Sequence, residues 1–287
     1  MLTRFIERLR RRYLPPPAAK VVDSSIQRAK QQIGARPLSV LVDNSVLSIG
    51  VIHETAWVSS GESTLPGLSI KPGYSARVPI YSPNDTSEVY QNVLFLPGIT
   101  ALARQGAVQL MTSAELAAER FRQPNGRFRG YGLFDNSLFD GFEFPSIDGP
   151  PQLTMGPKYL GLPTIREQQH QRLRESKDGL YGELLTHFGP TNDQDAWHVQ
   201  TAERNGQFCF LTMDFKLCNL VRAHQHHEPF LSLKTRVMTP REFGEHFGIR
   251  PVPPHLLIYT NPKGPVSNQI SGKTGRRFSR KRYERLD

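Results

Sequence analysis

The sequence of 287 residues predicts an α/β domain in which helices cover both faces of a central, mainly parallel β-sheet, which makes a three-layer sandwich. Two observations support this class. From residue 38 onward, short apolar segments rich in Val, Leu and Phe alternate with segments of helical periodicity. The apolar segments are also continuous rather than alternating with polar residues, which is typical of strands that are covered on both faces.

The predicted elements follow one another in the order that a parallel sheet with right-handed helical crossovers requires. The first strand opens the run SVLVDNSVLSIG at 39–50 and ends at Asp43. Asn205 and Gly206 mark the end of one helix, and Pro240 suits the first turn of the last. Further strands are predicted at 108–113, 207–212 and 233–239, and helices at 99–107, 114–122, 164–177, 178–189, 193–205, 215–224 and 240–248.

Two long insertions and two basic extensions enlarge this domain. The insertions are rich in Gly, Pro and Ser or aromatic residues and show no sustained periodicity, and the first could contain a hairpin. The three prolines from Pro15 to Pro17 are interpreted as a stiff spacer after a short basic amphipathic helix at 1–13. The predicted parts are a basic N-terminal helix and linker (1–36), a domain (37–250) with insertions at 55–90 and 123–164, and a basic C-terminal tail (251–287).

The net charge of +10 is concentrated at the two ends of the chain. Residues 1–36 contain nine Lys or Arg and two acids, and residues 263–287 contain eight Lys or Arg and two acids. The remaining middle part contains 19 basic and 22 acidic residues. Basic ends on a slightly acidic body favour contact with a polyanion such as nucleic acid.

The composition also bears on the compartment. No apolar run approaches the roughly 20 residues of a membrane helix, and the N-terminus lacks the continuous hydrophobic stretch of a signal peptide. The two cysteines, Cys209 and Cys218, are predicted to be buried, reduced thiols rather than a disulfide. We therefore expect a cytoplasmic protein with no membrane partner.

Acidic residues stand next to the predicted strands, at points that could share one edge of the sheet. Asp43 ends the first strand, Asp195 lies in the first turn of the helix before the third strand, and Asp214 follows that strand. Glu119, in the helix after the second strand, is the fourth candidate, and Glu115 one turn earlier is its alternative. Carboxylates that lie close together repel one another unless a cation compensates them. Mg²⁺ favours carboxylate, water and phosphate oxygens, so these acids predict a Mg²⁺ site.

Simpler structural roles are open for several of these residues. Asp193 or Asn192 could be a helix cap, Asp214 could cap the helix that follows it, and Glu115 could be a surface residue. Asp43 is harder to explain in this way, because a carboxylate at the end of an apolar strand needs a partner. The run HQHHEP, which begins at His224, lacks zinc-ligand spacing and is predicted to be an exposed loop.

Four segments, taken in order, resemble the signature of the PIN-domain family, which consists largely of metal-dependent ribonucleases. The segments are VLVDNSVL, VQLMTSAELAAE, DAWHVQTAERNGQFCFLTMDFKL and VMTPREF, and the resemblance covers about residues 38–245. It implies a PIN-like fold whose catalytic residues, binding Mg²⁺ or Mn²⁺, are Asp43, Glu119, Asp195 and Asp214. The residues expected to support these acids are Asn44, Ser45, Thr212, Asp193 and His198. The two long insertions depart from a minimal member of the family.

The resemblance implies an endoribonuclease in which a metal-activated water attacks the phosphorus of an RNA phosphodiester. Basic and aromatic side chains could hold single-stranded RNA by charge and stacking. The N-terminal helix or the insertions could also dock a protein partner. The residues expected to contact RNA are Arg127, Arg129, Arg276 and Arg277, with Phe128 and Tyr131 as stacking partners.

Two further functions are open from the sequence. A catalytically inactive, PIN-like RNA-binding or scaffold subunit of a larger complex would keep the fold without the chemistry. A structure-specific DNA nuclease would use the same acids. Titration with Mn²⁺ distinguishes the first of these from a ribonuclease, and a comparison of RNA and DNA substrates distinguishes the second.

Overall fold

A β-sheet of four parallel strands lies at the centre of the fold. The computed structural model describes residues 16–59, 63–65, 68–70, 73–82, 84–122, 136–156, 158–253 and 256. The strands are β1 (Leu38–Val42), β2 (Val51–Ser59), β3 (Ser63–Leu65), β4 (Leu68–Ile70), β5 (Gly73–Pro79), β6 (Val108–Met111), β7 (Asn136–Ser137), β8 (Cys209–Leu211) and β9 (Arg236–Met238). The α-helices are α1 (Pro16–Ile33), α2 (Asn44–Ile49), α3 (Glu88–Val93), α4 (Leu96–Arg104), α5 (Ala114–Arg122), α6 (Ile165–Glu175), α7 (Gly179–Phe188), α8 (Asp193–Arg204), α9 (Phe215–His224) and α10 (Pro240–His246).

The central sheet has the strand order β6–β1–β8–β9, and each neighbouring pair is parallel. Val40 of β1 lies opposite Leu110 of β6 and Cys209 of β8, so β1 is an inner strand. The arrangement confirms the predicted α/β class with a parallel sheet. Because all four strands run the same way, their carboxyl ends lie along one edge of the sheet.

Helices pack on both faces of this sheet, as the continuous apolar strands predict. Successive side chains of a strand point to opposite faces. In β1, Val40 and Val42 join one core cluster with residues of α1, α2, α4 and α10, whereas Leu41 joins a second cluster. That second cluster contains Phe210 of β8 and residues of α5, α6, α7, α8 and α9. All of these core residues are buried, so the sheet is covered on both sides.

The segment before β1 differs from its prediction. Residues 16–33 form helix α1, whose Val22, Ile26 and Ala29 are buried in the same core cluster as β1. The stiff spacer is therefore wrong for Pro16 and Pro17, which lie in the first helical turn, where a missing N–H costs nothing. The predicted basic helix at 1–13 lies outside the described residues.

The first insertion contains the predicted hairpin. Strands β2 and β5 pair antiparallel over the whole of β5, from Gly73 to Pro79, and β3 pairs with β4 between them. The short strand β7, from the second insertion, pairs with the other side of β2. The second insertion is also tied to the sheet, because Thr112 N donates to Pro145 O and Ile147 N donates to Thr112 O, each at 2.9 Å.

The beginning of the predicted tail packs on the domain. Val252 is fully buried, and its N–H donates to Leu94 O at 2.9 Å. Cys209 and Cys218 are buried and free of a disulfide, as predicted. Residues 225–228 form an exposed turn, as predicted for HQHHEP, whereas His224 ends α9 and Pro229 is buried. Within the described ranges, no helix is both long enough and apolar enough to span a membrane.

Candidate functional site

Asp43 is fixed at the carboxyl end of β1 by hydrogen bonds to one of its two carboxylate oxygens. Its backbone N–H donates to Leu211 O at 2.9 Å, which continues the pairing of β1 with β8. Ser45 Oγ and Thr212 Oγ1 donate to Asp43 Oδ2 at 2.5 and 2.7 Å. Oδ1 receives no hydrogen bond from the described part of the chain, so it is available to a ligand.

Asp214 is joined to Asp43 through Thr212. The fully buried Thr212 donates to Asp43, and its Oγ1 accepts the N–H of Asp214 at 3.0 Å. Asp214 caps helix α9, because its Oδ1 accepts the N–H groups of Lys216 and Leu217 at 2.9 and 3.1 Å. The capping role that the sequence left open is therefore present. It uses only one oxygen of the carboxylate.

Glu119 comes from α5 and is bonded on both of its oxygens. Asn44, the first residue of α2, donates from Nδ2 to Glu119 Oε2 at 3.2 Å and to Leu116 O at 2.8 Å. The Nε2 atom of His198, in α8, lies 3.0 Å from Glu119 Oε1. Arg122 Nη2 is 3.8 Å from the same oxygen. Glu119 is thus the acid that links α5 to α2 and α8.

Asp195 lies in the first turn of α8, one turn before His198. Neither of its carboxylate oxygens has a hydrogen-bond or ion-pair partner within the described residues. Burial and, to a smaller extent, the negative charges of Asp214, Asp43 and Glu119 together raise the pKa of Asp195 to about 6 against the opposing effect of His198. We refer to Asp43, Glu119, Asp195 and Asp214 as the acid site, because these interactions join all four.

The pKa shifts of the neighbouring groups show how charge is shared in the acid site. Burial raises the pKa of Asp43, although the Ser45 and Thr212 hydrogen bonds oppose this effect. Burial alone would lower the pKa of His198, but Glu119 outweighs it and, with Asp43 and Asp195, raises the pKa to about 9. His198 is therefore a cation at neutral pH. Burial alone would raise the pKa of Glu119. The positive charge of His198 and its hydrogen bond to Glu119 outweigh this effect, so the pKa of Glu119 is lowered.

Two other acids of the same helices face elsewhere. Glu115 is 8 % exposed and forms a two-point ion pair with Arg172, at 2.7 and 2.9 Å, so the alternative to Glu119 is not part of the acid site. Asp193 is the first residue of α8, and the cap is Asn192, so of the two residues predicted as the cap of this helix the structure selects Asn192. Asp193 Oδ2 lies 2.6 Å from His170 Nδ1. Residues two apart on a helix point about 200° apart, so Asp193 faces α6 while Asp195 faces the acid site.

The chemistry of the acid site fits a hard divalent cation. Unpaired carboxylate oxygens of Asp43, Asp195 and Asp214 are donors that Mg²⁺ and Mn²⁺ accept. Within the described ranges, no group of three or more His, Cys, Asp or Glu side chains is arranged to hold a metal ion directly. An ion that keeps most of its water shell and binds through one or two carboxylates fits both the unpaired oxygens and the lack of a three-residue ligand group.

Two contacts of the acid site were not predicted from the sequence, and the side chains predicted to hold RNA lie outside the described residues. The spacing of Glu119 and Arg122, three residues apart on a helix, is a signal that could have indicated their pairing. The contact between His198 and Glu119 joins residues 79 positions apart, and no local pattern indicates it. The residues predicted to bind RNA that lie outside the described part of the chain are Arg127, Arg129, Arg276 and Arg277, with the stacking partners Phe128 and Tyr131.

Comparisons with known proteins assign no function to this geometry. The chain matched no protein-family model, no curated protein and no solved structure. The resemblance to PIN domains therefore rests on the sequence segments alone and stays a prediction.

Proposed function

We propose that this protein is a divalent-cation-dependent endoribonuclease with a PIN-like domain, which hydrolyses phosphodiester bonds of single-stranded RNA. The observation that carries the proposal is the acid site, where four carboxylates from separate elements interact electrostatically beside the carboxyl edge of a parallel sheet. Ligands of open parallel sheets bind beyond this edge. Two positive groups face the four carboxylates: the His198 imidazolium and the Arg122 guanidinium, whose Nη2 lies 3.8 Å from Glu119 Oε1. The acid site therefore has surplus negative charge.

The chain's own groups suggest a division of roles. A bound Mg²⁺ or Mn²⁺ would supply an activated water and would stabilise negative charge on the phosphate. One or two of the carboxylates of Asp43, Asp195 and Asp214 would hold the ion through oxygens that have no partner among the described residues, and the remaining acid would contact its water ligands. Ser45 and Thr212 would keep the Asp43 carboxylate in one orientation through their two hydrogen bonds.

Charge on the rest of the chain supports an RNA substrate. The 17 Lys or Arg residues in segments 1–36 and 263–287 can attract a phosphate backbone to an otherwise slightly acidic body. Near the acid site, Arg122 is in loose contact with Glu119, and its side chain is 26 % exposed. A guanidinium in this position can pair with a phosphate oxygen that flanks the cleaved bond.

The proposal is tested by incubating the full chain with end-labelled single-stranded RNA and Mn²⁺. We expect cleavage by the wild type and loss of cleavage in Asp43→Asn and in Asp214→Asn. Asparagine accepts the same capping hydrogen bonds as aspartate, so Asp214→Asn keeps the α9 cap while it removes the charge. Equal cleavage by the wild type and both variants would refute the proposal.

Asp193→Asn is the matched control for these variants. It removes one negative charge from the same part of the molecule, but from a side chain that contacts His170 rather than the acid site. We expect it to cleave RNA at close to the wild-type rate. Single-stranded and branched DNA of matched sequence should be included, because a DNA nuclease would use the same acids.

One observation favours a second candidate function, a catalytically inactive RNA-binding or scaffold subunit. Both oxygens of Glu119 are engaged by protein groups, and His198 already supplies one positive charge to the acid site. A protein of this kind would bind RNA in a gel-shift assay and leave it intact with Mn²⁺. It would also show no rise in melting temperature on addition of Mn²⁺.

A further inference from the structure

Most of the exposed large apolar side chains of the described residues belong to one loop near the end of the second insertion. This loop, which we call the knob, comprises residues 155–156 and 158–162 and contains a 3₁₀ turn at Lys158–Leu160. Four of the six large apolar residues that are exposed within the described ranges lie in it, with exposed fractions from 39 % for Leu162 to 85 % for Tyr159. A concentration of exposed apolar surface marks a site of protein contact. The four residues are Met155, Tyr159, Leu160 and Leu162.

The knob is held in one position by Gln168 of α6. Gln168 Nε2 donates to Thr154 O and to Pro163 O, each at 2.8 Å, and its Oε1 accepts the N–H of Thr154 at 2.9 Å. The residues that flank the knob on both sides are therefore bonded to one side chain. Within the knob, Leu162 packs closely over Gly156, where an added Cβ would lie 2.7 Å from Leu162 Cδ1. A loop that is already ordered loses little conformational entropy when it binds a partner.

A groove of about 420 Å³ adjoins the knob on the surface of α6. Pockets of roughly 300–1,000 Å³ hold drug-sized ligands, so this groove can receive one or two side chains. It is lined by residues 152–154, which directly precede the knob, and by Gln168, Gln171, Arg172 and Glu175 of α6. A protrusion and a cavity therefore lie side by side on one surface.

The knob and the groove are also complementary in charge. Arg172 of the groove is already paired with Glu115, at 2.7 and 2.9 Å. Glu175 accepts a hydrogen bond from Gln171 Nε2 at 3.0 Å and has no ion-pair partner among the described residues. The single charged residue of the knob is Lys158. The groove thus has one unpaired negative charge, and the knob has one positive charge.

We propose that the knob of one molecule docks in the groove of a second copy of this chain and forms a two-fold symmetric dimer. A two-fold interface needs a surface that is complementary to itself, and here each knob would meet the groove of the other copy. Tyr159 suits the groove, because its ring is apolar and its hydroxyl can bond to amides such as those of Gln152 and Gln171. This docking is independent of the proposed function, because neither the knob nor the groove includes a residue of the acid site.

The test measures the mass of the full chain by sedimentation equilibrium at concentrations from about 1 µM to 1 mM, which span the affinity expected of a small interface. We expect the wild type to form a dimer. Tyr159→Ala combined with Leu160→Ala should weaken it by at least about tenfold, because the exposed anchors of the knob are lost. Gln171→Trp, which fills the groove, should also weaken it. Leu231→Ala is the matched control, since Leu231 is exposed but lies outside both surfaces, and it should change the dissociation constant by less than about twofold.

A wild type that stays monomeric at every concentration would overturn the docking of a second copy and would assign the knob to a different protein. A dimer of unchanged affinity in the Tyr159→Ala, Leu160→Ala variant would overturn it too, because the contact would then lie elsewhere. RNA cleavage by a monomeric wild type would overturn the dimer alone. A dimer that cleaves no RNA would leave the docking intact and overturn the proposed function.

A pair of introduced cysteines tests which surfaces meet. Tyr159→Cys and Gln171→Cys are prepared as separate proteins and mixed with oxidised glutathione, and the native Cys209 and Cys218 are buried. We expect the mixture to give more disulfide-linked dimer than either variant alone, because a thiol in the knob then faces a thiol in the groove of another molecule. Leu231→Cys mixed with Gln171→Cys is the control. An equal yield of linked dimer in the control would overturn the contact between knob and groove.

Discussion

Glu115 and Glu119 lie one turn apart on the same face of α5, yet their carboxylates have opposite surroundings. Glu115 forms two hydrogen bonds with Arg172 and a third with Gln169 Nε2 at 2.8 Å. Glu119 points into a site with three further carboxylates. Asp193 and Asp195 on α8 repeat this contrast, because Asp193 pairs with His170 and Asp195 has no partner within the described residues.

Helix α6 accounts for the difference. It packs against α5 and α8, and it supplies Gln169, His170 and Arg172 to the acids that face it. We call these three residues together with Glu115 and Asp193 the α6 network. On the other side of α5 and α8, the four carboxylates of the acid site share His198, 3.0 Å from Glu119, and Arg122, 3.8 Å from Glu119, among the described residues. The same two helices therefore carry acids that bond to α6, Glu115 and Asp193, and acids that face the acid site, Glu119 and Asp195.

The largest expected effect separates the two groups by activity. Asp195→Asn should lower the rate of RNA cleavage by at least about 10²-fold, because it removes a carboxylate that the chemistry requires. Asp193→Asn should change the rate by less than about threefold, because its side chain bonds to His170 of α6. Single-turnover cleavage of labelled RNA with saturating Mn²⁺ measures both rates. A similar loss in the two variants would erase the distinction between the acid site and the α6 network.

The second prediction concerns the α6 network, where we expect a substitution to change the free energy of unfolding rather than the rate of cleavage. Arg172→Met should destabilise the fold by about 2 kcal/mol, because it leaves the carboxylate of Glu115, which is 8 % exposed, without its cation. Arg174→Met, an exposed position on the same helix, is the control and should change stability by no more than about 0.5 kcal/mol. Urea unfolding monitored by circular dichroism gives both values. Cleavage per folded molecule should stay near wild type in Arg172→Met, and a large loss would place the α6 network in the mechanism.

The sheet could be predicted from the sequence because its signals are local. Each of the strands β1, β6, β8 and β9 is a short apolar run. Strands β6, β8 and β9 lie inside their predicted ranges, and β1 begins one residue before its own. Asp43 and Asp214 follow from the same signal, since they are defined by where a strand ends. Positions of this kind depend on a few consecutive residues, and the parallel pairing then brings them to one edge.

Other features depend on contacts between distant parts of the chain and could not be predicted in this way. Three prolines suggested a spacer before residue 18, but the next 16 residues bury Val22, Ile26 and Ala29 against the core, and this tertiary contact favours a helix. The choice between Glu115 and Glu119 depends on where α6 packs, 54 to 57 residues further along. The periodicity of α5 alone places both acids on one face.

The third prediction uses the raised pKa of Asp195. Burial and three neighbouring carboxylates raise its pKa from 3.8 to about 6, so the folded protein holds this proton more tightly than the unfolded chain. The contribution of Asp195 to folding is therefore most favourable below pH 3.8, and is lost as the pH rises through 6. In a chelator, Asp195→Asn should be more stable than wild type at pH 8, on the order of 1–2 kcal/mol, and equal to it near pH 4. Urea midpoints at the two pH values test this, and a variant less stable than wild type at pH 8 would contradict it.

The smallest effect concerns Asp214, which belongs to both kinds of acid. Its Oδ1 caps α9 and its other oxygen is left for the acid site. Asp214→Ala should be less stable than Asp214→Asn by about 1 kcal/mol, because asparagine keeps the cap and alanine does not. Both variants should lose RNA cleavage to the same extent, since both lose the carboxylate. Thermal unfolding and cleavage measured on the same samples separate the two roles. If the two variants unfold together, the cap contributes nothing to stability, and Asp214 would belong to the acid site alone.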